Sequence, residues 1–183
     1  MRKILVVHYS RTGFTRALAE LIATACDADI EQVEDAIEYN GIFSYAKLAI
    51  DAVTHLETAI KPSKYDPGAY DIIVIGTPIW FWNVASPIRT YIKKNRQAFR
   101  RVATFCTCSG YGRSKVMRDL ESLVRRPVFA LLSCTDEEVA GKCYNGRLTT
   151  FLSEIKNSSR FIVRPHRDEA ANDLSARGPR VSA

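Results

Sequence analysis

Short apolar runs recur along the chain, separated by stretches with helical periodicity. Ile4-Leu-Val-Val-His8 is nearly continuous in apolar residues, as expected for a strand buried on both faces of a parallel sheet. Asp71 to Gly76, Val102 to Thr107 and Val128 to Leu132 repeat this pattern, and Ile30 to Val33 is a weaker instance. Leu18, Leu21, Ile22 and Ala25 share one face of a helix predicted from Phe14 to Cys26. Apolar residues at 42, 46, 49, 53, 56 and 60 predict a long helix from Ile42 to Ile60, which Pro62 bars from continuing. Further helices are predicted from Pro87 to Asn95 with Ser86 as N-cap, from Lys115 to Val124, and from Asn145 to Ile155. Five strands alternating with helices call for an α/β domain, its parallel sheet covered on both faces and joined by right-handed crossovers.

A length of 183 residues suits one domain. The pattern assigns residues 1–160 to that domain. Periodicity fades after Arg160, and 161–183 reads as a flexible tail, Ser/Gly/Pro/Arg-rich from Asn172 onward. No apolar run approaches the ~18–20 residues a membrane helix needs. The basic start with Ile4 to Val7 is too short for an export signal, so the chain is expected to stay in the cytoplasm. Five cysteines without an export signal fit reduced thiols. Cys106 and Cys108 lack the second pair or clustered His that a zinc site requires, so no metal is expected. The net charge of +6 is spread over helix ends and the tail rather than gathered in one block. Helix ends favour cations through the macrodipole, and nucleic acid is not the expected partner.

In open α/β sheets, ligands sit at the carboxyl ends of the strands, and three loops there have unusual composition. Ser10-Arg11-Thr12-Gly13-Phe14-Thr15 joins a strand to a helix N-terminus, where free N–H groups and the dipole favour a phosphate. Hydroxyls at Ser10, Thr12 and Thr15 can add donors, and Gly13 can take φ > 0. The loop has neither the P-loop lysine nor the dinucleotide glycines, which suits a single terminal phosphate. It also reads as a plain turn capped by Ser10 or Thr12. Thr77-Pro78-Ile79-Trp80-Phe81-Trp82-Asn83 holds both tryptophans of the chain and suits stacking on a planar ring; plugging the core rim or a homodimer interface is the other reading. Thr107-Cys108-Ser109-Gly110-Tyr111-Gly112 allows close backbone approach to a polar ring edge, with Tyr111 free to stack; a flexible glycine turn is the alternative. Cys108, His8 and His55 read as structural, and no catalytic residue is assigned.

Ile4 to Thr15, Asp71 to Trp80, Pro87-Ile-Arg-Thr-Tyr-Ile92 and Phe105 to Gly110 together resemble the flavodoxin family over residues 2–157. The resemblance implies a three-layer flavodoxin-like fold, with a five-stranded parallel sheet in order 2-1-3-4-5, and one non-covalent FMN. By motif position, Ser10, Thr12, Gly13 and Thr15 match the phosphate loop, with Arg11 and Phe14 matching through backbone N–H groups. Thr77 to Trp80 match the loop beside the flavin ring, and Cys108 to Gly112 the loop at its other edge. The uninterrupted last strand resembles the short-chain branch. Electron-carrier flavodoxins are typically acidic and carry carboxylates beside the ring; this chain is basic and neither ring loop has one. Fewer carboxylates make a flavin easier to reduce fully, which suits hydride chemistry.

The resemblance therefore implies a flavin redox protein. One role is an oxidoreductase passing electrons from NAD(P)H or a reductase to a quinone-like acceptor. The alternatives are an electron carrier between redox partner proteins and a non-catalytic binding module that kept the fold.

Overall fold

The structure, a computed structural model, describes residues 2–36, 57–110 and 112–158. Its strands are β1 (Ile4–His8), β2 (Asp29–Gln32), β3 (Ile72–Trp80), β4 (Asn83–Val84), β5 (Val102–Cys108) and β6 (Val128–Thr135). Its helices are α1 (Phe14–Cys26), α2 (Ser86–Asn95), α3 (Arg113–Val124), α4 (Asp136–Ala140) and α5 (Asn145–Asn157). The parallel strands run in the order β2-β1-β3-β5-β6, and β4 pairs antiparallel with β3. With that two-residue strand set aside, this is the order the sequence resemblance implies. Among the described residues no helix is long and apolar enough to cross a membrane.

Alternation along the strands builds two cores. Ile4, Val6, Ile72, Val74, Ala103 and Phe105 face α1 and α5, meeting Leu18, Ile22, Phe151 and Ile155. Leu5, Val7, Ile73, Ile75 and Val102 face the other way, onto Ile88, Tyr91 and Ile92 of α2 and Val116 and Leu120 of α3. Strands buried on both faces explain the continuous apolar runs.

β3 runs on past Gly76 through Thr77 and Pro78 to Trp80, where the sequence predicts that the strand ends and a loop begins at Thr77. A Cβ on Gly76 would lie 2.1 Å from Phe105 Cζ, so the ring occupies the space a side chain would take. Glycine here marks a close approach rather than a break. Pro78 lies beyond the last β1 pair, His8 with Gly76, where one side of β3 no longer has that ladder. Cys108 likewise closes β5 instead of opening a loop.

The Ser86 N-cap expectation is corrected. Ala85 is the N-cap, Ser86 is the first helical residue and no side chain caps the end. α4 escaped the sequence reading, although Thr135 and Glu138 form a reciprocal capping box that the T-x-x-E spacing announces. Most of the predicted helix from Ile42 to Ile60, and the tail 161–183, lie outside the described residues. The described end of that helix, residues 57–60, is not helical, and Ile60 instead bridges Asp35.

Candidate functional site

The three loops singled out in the sequence leave the carboxyl ends of β1, β3 and β5. Between β1 and α1, Ser10 is buried at 8% exposure, and its Oγ accepts from the Gly13 N–H at 3.1 Å. The Ser10 hydroxyl proton therefore stays available to a ligand. Gly13, not Ser10 or Thr12, is the N-cap of α1; its φ is 95°, and no side chain caps the helix. An ideal Cβ on Gly13 meets nothing within 4 Å, so the space above the first turn is open. The first-turn N–H groups of a helix have no intrahelical acceptor, and no acidic residue lies in this turn. Arg11 and Thr12 are exposed, and Gly13 and Phe14 half-buried.

Thr15 faces inward. It is 1% exposed, and its hydroxyl lies 2.8 Å from the Thr107 hydroxyl. One proton is used between the two, so the pair keeps a single proton to give elsewhere.

The second loop is a hairpin. Ile79 pairs with Val84 and Trp80 with Asn83, leaving Phe81 and Trp82 as the two-residue turn. Both have positive φ, 46° and 59°, as type I′ turns require. Asn-Gly usually fills such a turn; large aromatics there carry backbone strain. Phe81 and Trp82 are 57% and 59% exposed. Trp80 is half-buried, edge-on to Tyr9 with centroids 5.4 Å apart. Thr77 is fully buried; its Oγ1 donates to the Pro78 carbonyl and accepts from the Ala85 N–H. Asn83 is buried and donates to the Phe81 carbonyl at 2.7 Å.

In the third loop, Thr107 and Cys108 are buried strand residues. The Cys108 thiol points to the Cys134 carbonyl at 3.9 Å. Ser109 is exposed and donates to Asp136 at 3.1 Å. Gly110 and Gly112 have φ of 127° and 85°, and Tyr111 lies outside the described residues. A Cβ on Gly112 would stand 2.8 Å from Trp82 Cδ1. The second and third loops are thus in contact, and Thr15 ties the first to β5.

The sequence reading missed Lys115 and Arg89. Lys115 Nζ donates to the Trp82 carbonyl, Asn83 Oδ1 and Asp119. Arg89, buried in α2, donates to the Val84 carbonyl at 3.0 Å. The Lys115–Asp119 spacing is visible in the sequence; the reach across to the hairpin is not. Burial first, and the Arg16 charge second, lower the His8 imidazole from 6.5 to about 4. Burial also pushes the Cys106 and Cys134 thiols up, so none of these three groups is a ready base or nucleophile near neutrality.

Comparison with known proteins points the same way. The family described as Flavodoxin matches residues 3–150. A protein named NAD(P)H dehydrogenase (quinone) from Trichlorobacter lovleyi is 32% identical over 99 residues, which is 50% of this chain and 47% of that protein. The chain thus spans about half the length of this curated relative. Among solved structures, a flavoprotein in complex with FMN from Lactobacillus acidophilus aligns with a TM-score of 0.63 and 22% identity, over 78% of this chain and 98% of that one. An NADH:FMN oxidoreductase in its apo form aligns with a TM-score of 0.59 and 13% identity, over 90% and 92% of the two chains. These two structural likenesses concern the fold.

Proposed function

Because the chain belongs to the flavodoxin family, we propose that residues 1–160 hold FMN and act as an oxidoreductase between NAD(P)H, or a reductase, and a quinone-like acceptor. The observation that carries this reading is the convergence of an open, uncapped helix N-terminus at Gly13 with the exposed aromatic hairpin at one end of the sheet. In this reading Ser10, Thr12 and the N–H groups of the first turn of α1 receive the phosphate. The positive end of the helix and the lack of a first-turn carboxylate favour its charge. Trp80 to Trp82 would offer aromatic faces to the ring, and the backbone N–H groups of Ser109, Gly110 and Gly112 would serve its polar edge. When bound, the flavin supplies the redox chemistry, and the protein supplies grip, orientation and electrostatics.

The enzyme role is favoured over the carrier role by the composition of the loops. Neither Thr77 to Asn83 nor Thr107 to Gly112 contains a carboxylate of its own, and Asp136, which accepts from Ser109 at the edge of the third loop, is the carboxylate that would oppose negative charge arriving on the ring. The named relative acts on NAD(P)H and quinone, which supports this choice of donor and acceptor.

The test begins with colour. Purified protein is expected to be yellow or to take up added FMN stoichiometrically. Colourless protein that ignores FMN refutes the flavin reading. The loaded protein is then expected to oxidise NADPH when benzoquinone is supplied. Turnover only through an added protein reductase would assign it the carrier role instead.

A further inference from the structure

We propose that Lys115 is a latch that fixes the Phe81–Trp82 hairpin, and so a positioning residue for the flavin site. Its ammonium reaches from the first turn of α3 to the Trp82 carbonyl at 3.2 Å and to Asn83 Oδ1 at 2.8 Å. The third donor goes to Asp119 Oδ2 at 2.7 Å, one turn further along the same helix. All three ammonium protons are thus assigned, and two of them go to the hairpin.

The turn needs such a hold. Phe81 and Trp82 both sit at positive φ, a region that bulky L-residues leave unless the surroundings determine it. Their side chains are mostly exposed, so packing supplies little of that determination. The Lys115 contacts fall at the strained residue and at the one after it. Asn83, held by the same ammonium, in turn donates to the Phe81 carbonyl. The ammonium therefore acts on both turn residues, on Trp82 directly and on Phe81 through Asn83. Charge-assisted bonds are the stronger class, and Asp119 restrains the flexible lysine stem so that less rotamer freedom is lost.

The conformational part of the proposal is independent of the ligand; its effect on FMN rests on the function proposed above. Both tryptophans of the chain, Trp80 and Trp82, lie in this hairpin, so indole emission from the apoprotein reports on the hairpin alone. Acrylamide quenching is compared in wild-type apoprotein, Lys115→Met, Lys115→Arg, Asp119→Asn and the control Arg118→Met, which removes an exposed charge from the same helix. Lys115→Met is expected to raise the quenching constant roughly twofold, Asp119→Asn less, with Lys115→Arg near wild type and Arg118→Met unchanged. In FMN titrations, Lys115→Met is expected to weaken binding roughly 3- to 10-fold and Lys115→Arg to restore it. Quenching unchanged in Lys115→Met, or altered equally by Arg118→Met, overturns the latch. If wild-type protein takes up no FMN, the flavin reading fails while the quenching series still decides the latch.

Discussion

The hydroxyls of Thr15 and Thr107 lie 2.8 Å apart although 92 residues separate them, and they tie the first turn of α1 to the end of β5. Both residues are essentially buried, at 1% and 2% exposure. Thr107→Val leaves the Thr15 hydroxyl without its partner and is expected to cost about 1–3 kcal/mol. The double variant with Thr15→Val, which removes both polar groups at nearly constant shape, is expected to recover part of that. Urea unfolding of the two singles and the double measures the coupling; strictly additive losses would show that the bond contributes nothing specific.

Phosphate binding is expected to depend on Ser10 and Thr12 in different ways. Thr12 is exposed on the loop, so Thr12→Ala removes one donor and is expected to weaken FMN by roughly 1.5–3 kcal/mol with the apoprotein unchanged. Ser10 also accepts from the Gly13 N–H, so Ser10→Ala is expected to lower both FMN affinity and apoprotein stability. FMN titration and thermal melts of both variants separate the two roles.

Gly112→Ala is expected to push the hairpin away from α3. Its Cβ would meet Trp82 Cδ1 at 2.8 Å and Trp82 Cα at 3.2 Å, and φ at this position is +85°. The backbone contact cannot be relieved by a rotamer change. A red shift of tryptophan emission in the apoprotein, together with weaker FMN binding, is the expected result; emission identical to wild type would contradict it.

Stability is expected to fall with acid in a window set by His8. Its imidazole is lowered from 6.5 to about 4, by burial first. Between these values the unfolded chain binds a proton that the folded chain refuses. Stability is therefore full above the unfolded value and is lost as pH drops towards 4, by roughly 2–3 kcal/mol at the foot of the window. Glu34 and Glu57, held below 4.5 by Lys61 and Lys93, add their losses only at lower pH. Urea unfolding from pH 7 to 5 is expected to show the slope in wild type and its absence in His8→Gln.

Gly76→Ala is expected to cost about 2–4 kcal/mol in thermal or urea unfolding, because the Phe105 ring fills the Cβ position. Pairing it with Phe105→Leu is expected to recover part of the loss by opening that space.

The elements that read clearly in the sequence are those whose pattern is local. The apolar run Ile4–His8 and the helix Phe14–Cys26 match the structure at both ends, because burial on both faces or on one stripe is written in residue order. The buried stripe itself differs slightly from the expected one, since Leu21 is exposed and Ala19 and Ala23 join Leu18 and Ile22 in the core. Gly76 and Pro78 misled, since their meaning depends on Phe105 and on where the β1 ladder stops, both distant in sequence. The candidate loops were visible as composition. That Thr15 turns inward to Thr107, or that Lys115 reaches Trp82 across 33 residues, follows from sheet order and could not be read from spacing.

The hairpin at Phe81 and Trp82 also has an evolutionary consequence. An Asn-Gly pair would take the same positive φ values without strain, so the present turn is less stable than an accessible alternative. Selection for stability alone would drift towards that pair and erase the aromatic surface. Under the proposed function, substitutions that make the molecule hardier at this turn are expected to come with weaker flavin binding, setting thermal endurance and function against each other at two adjacent positions.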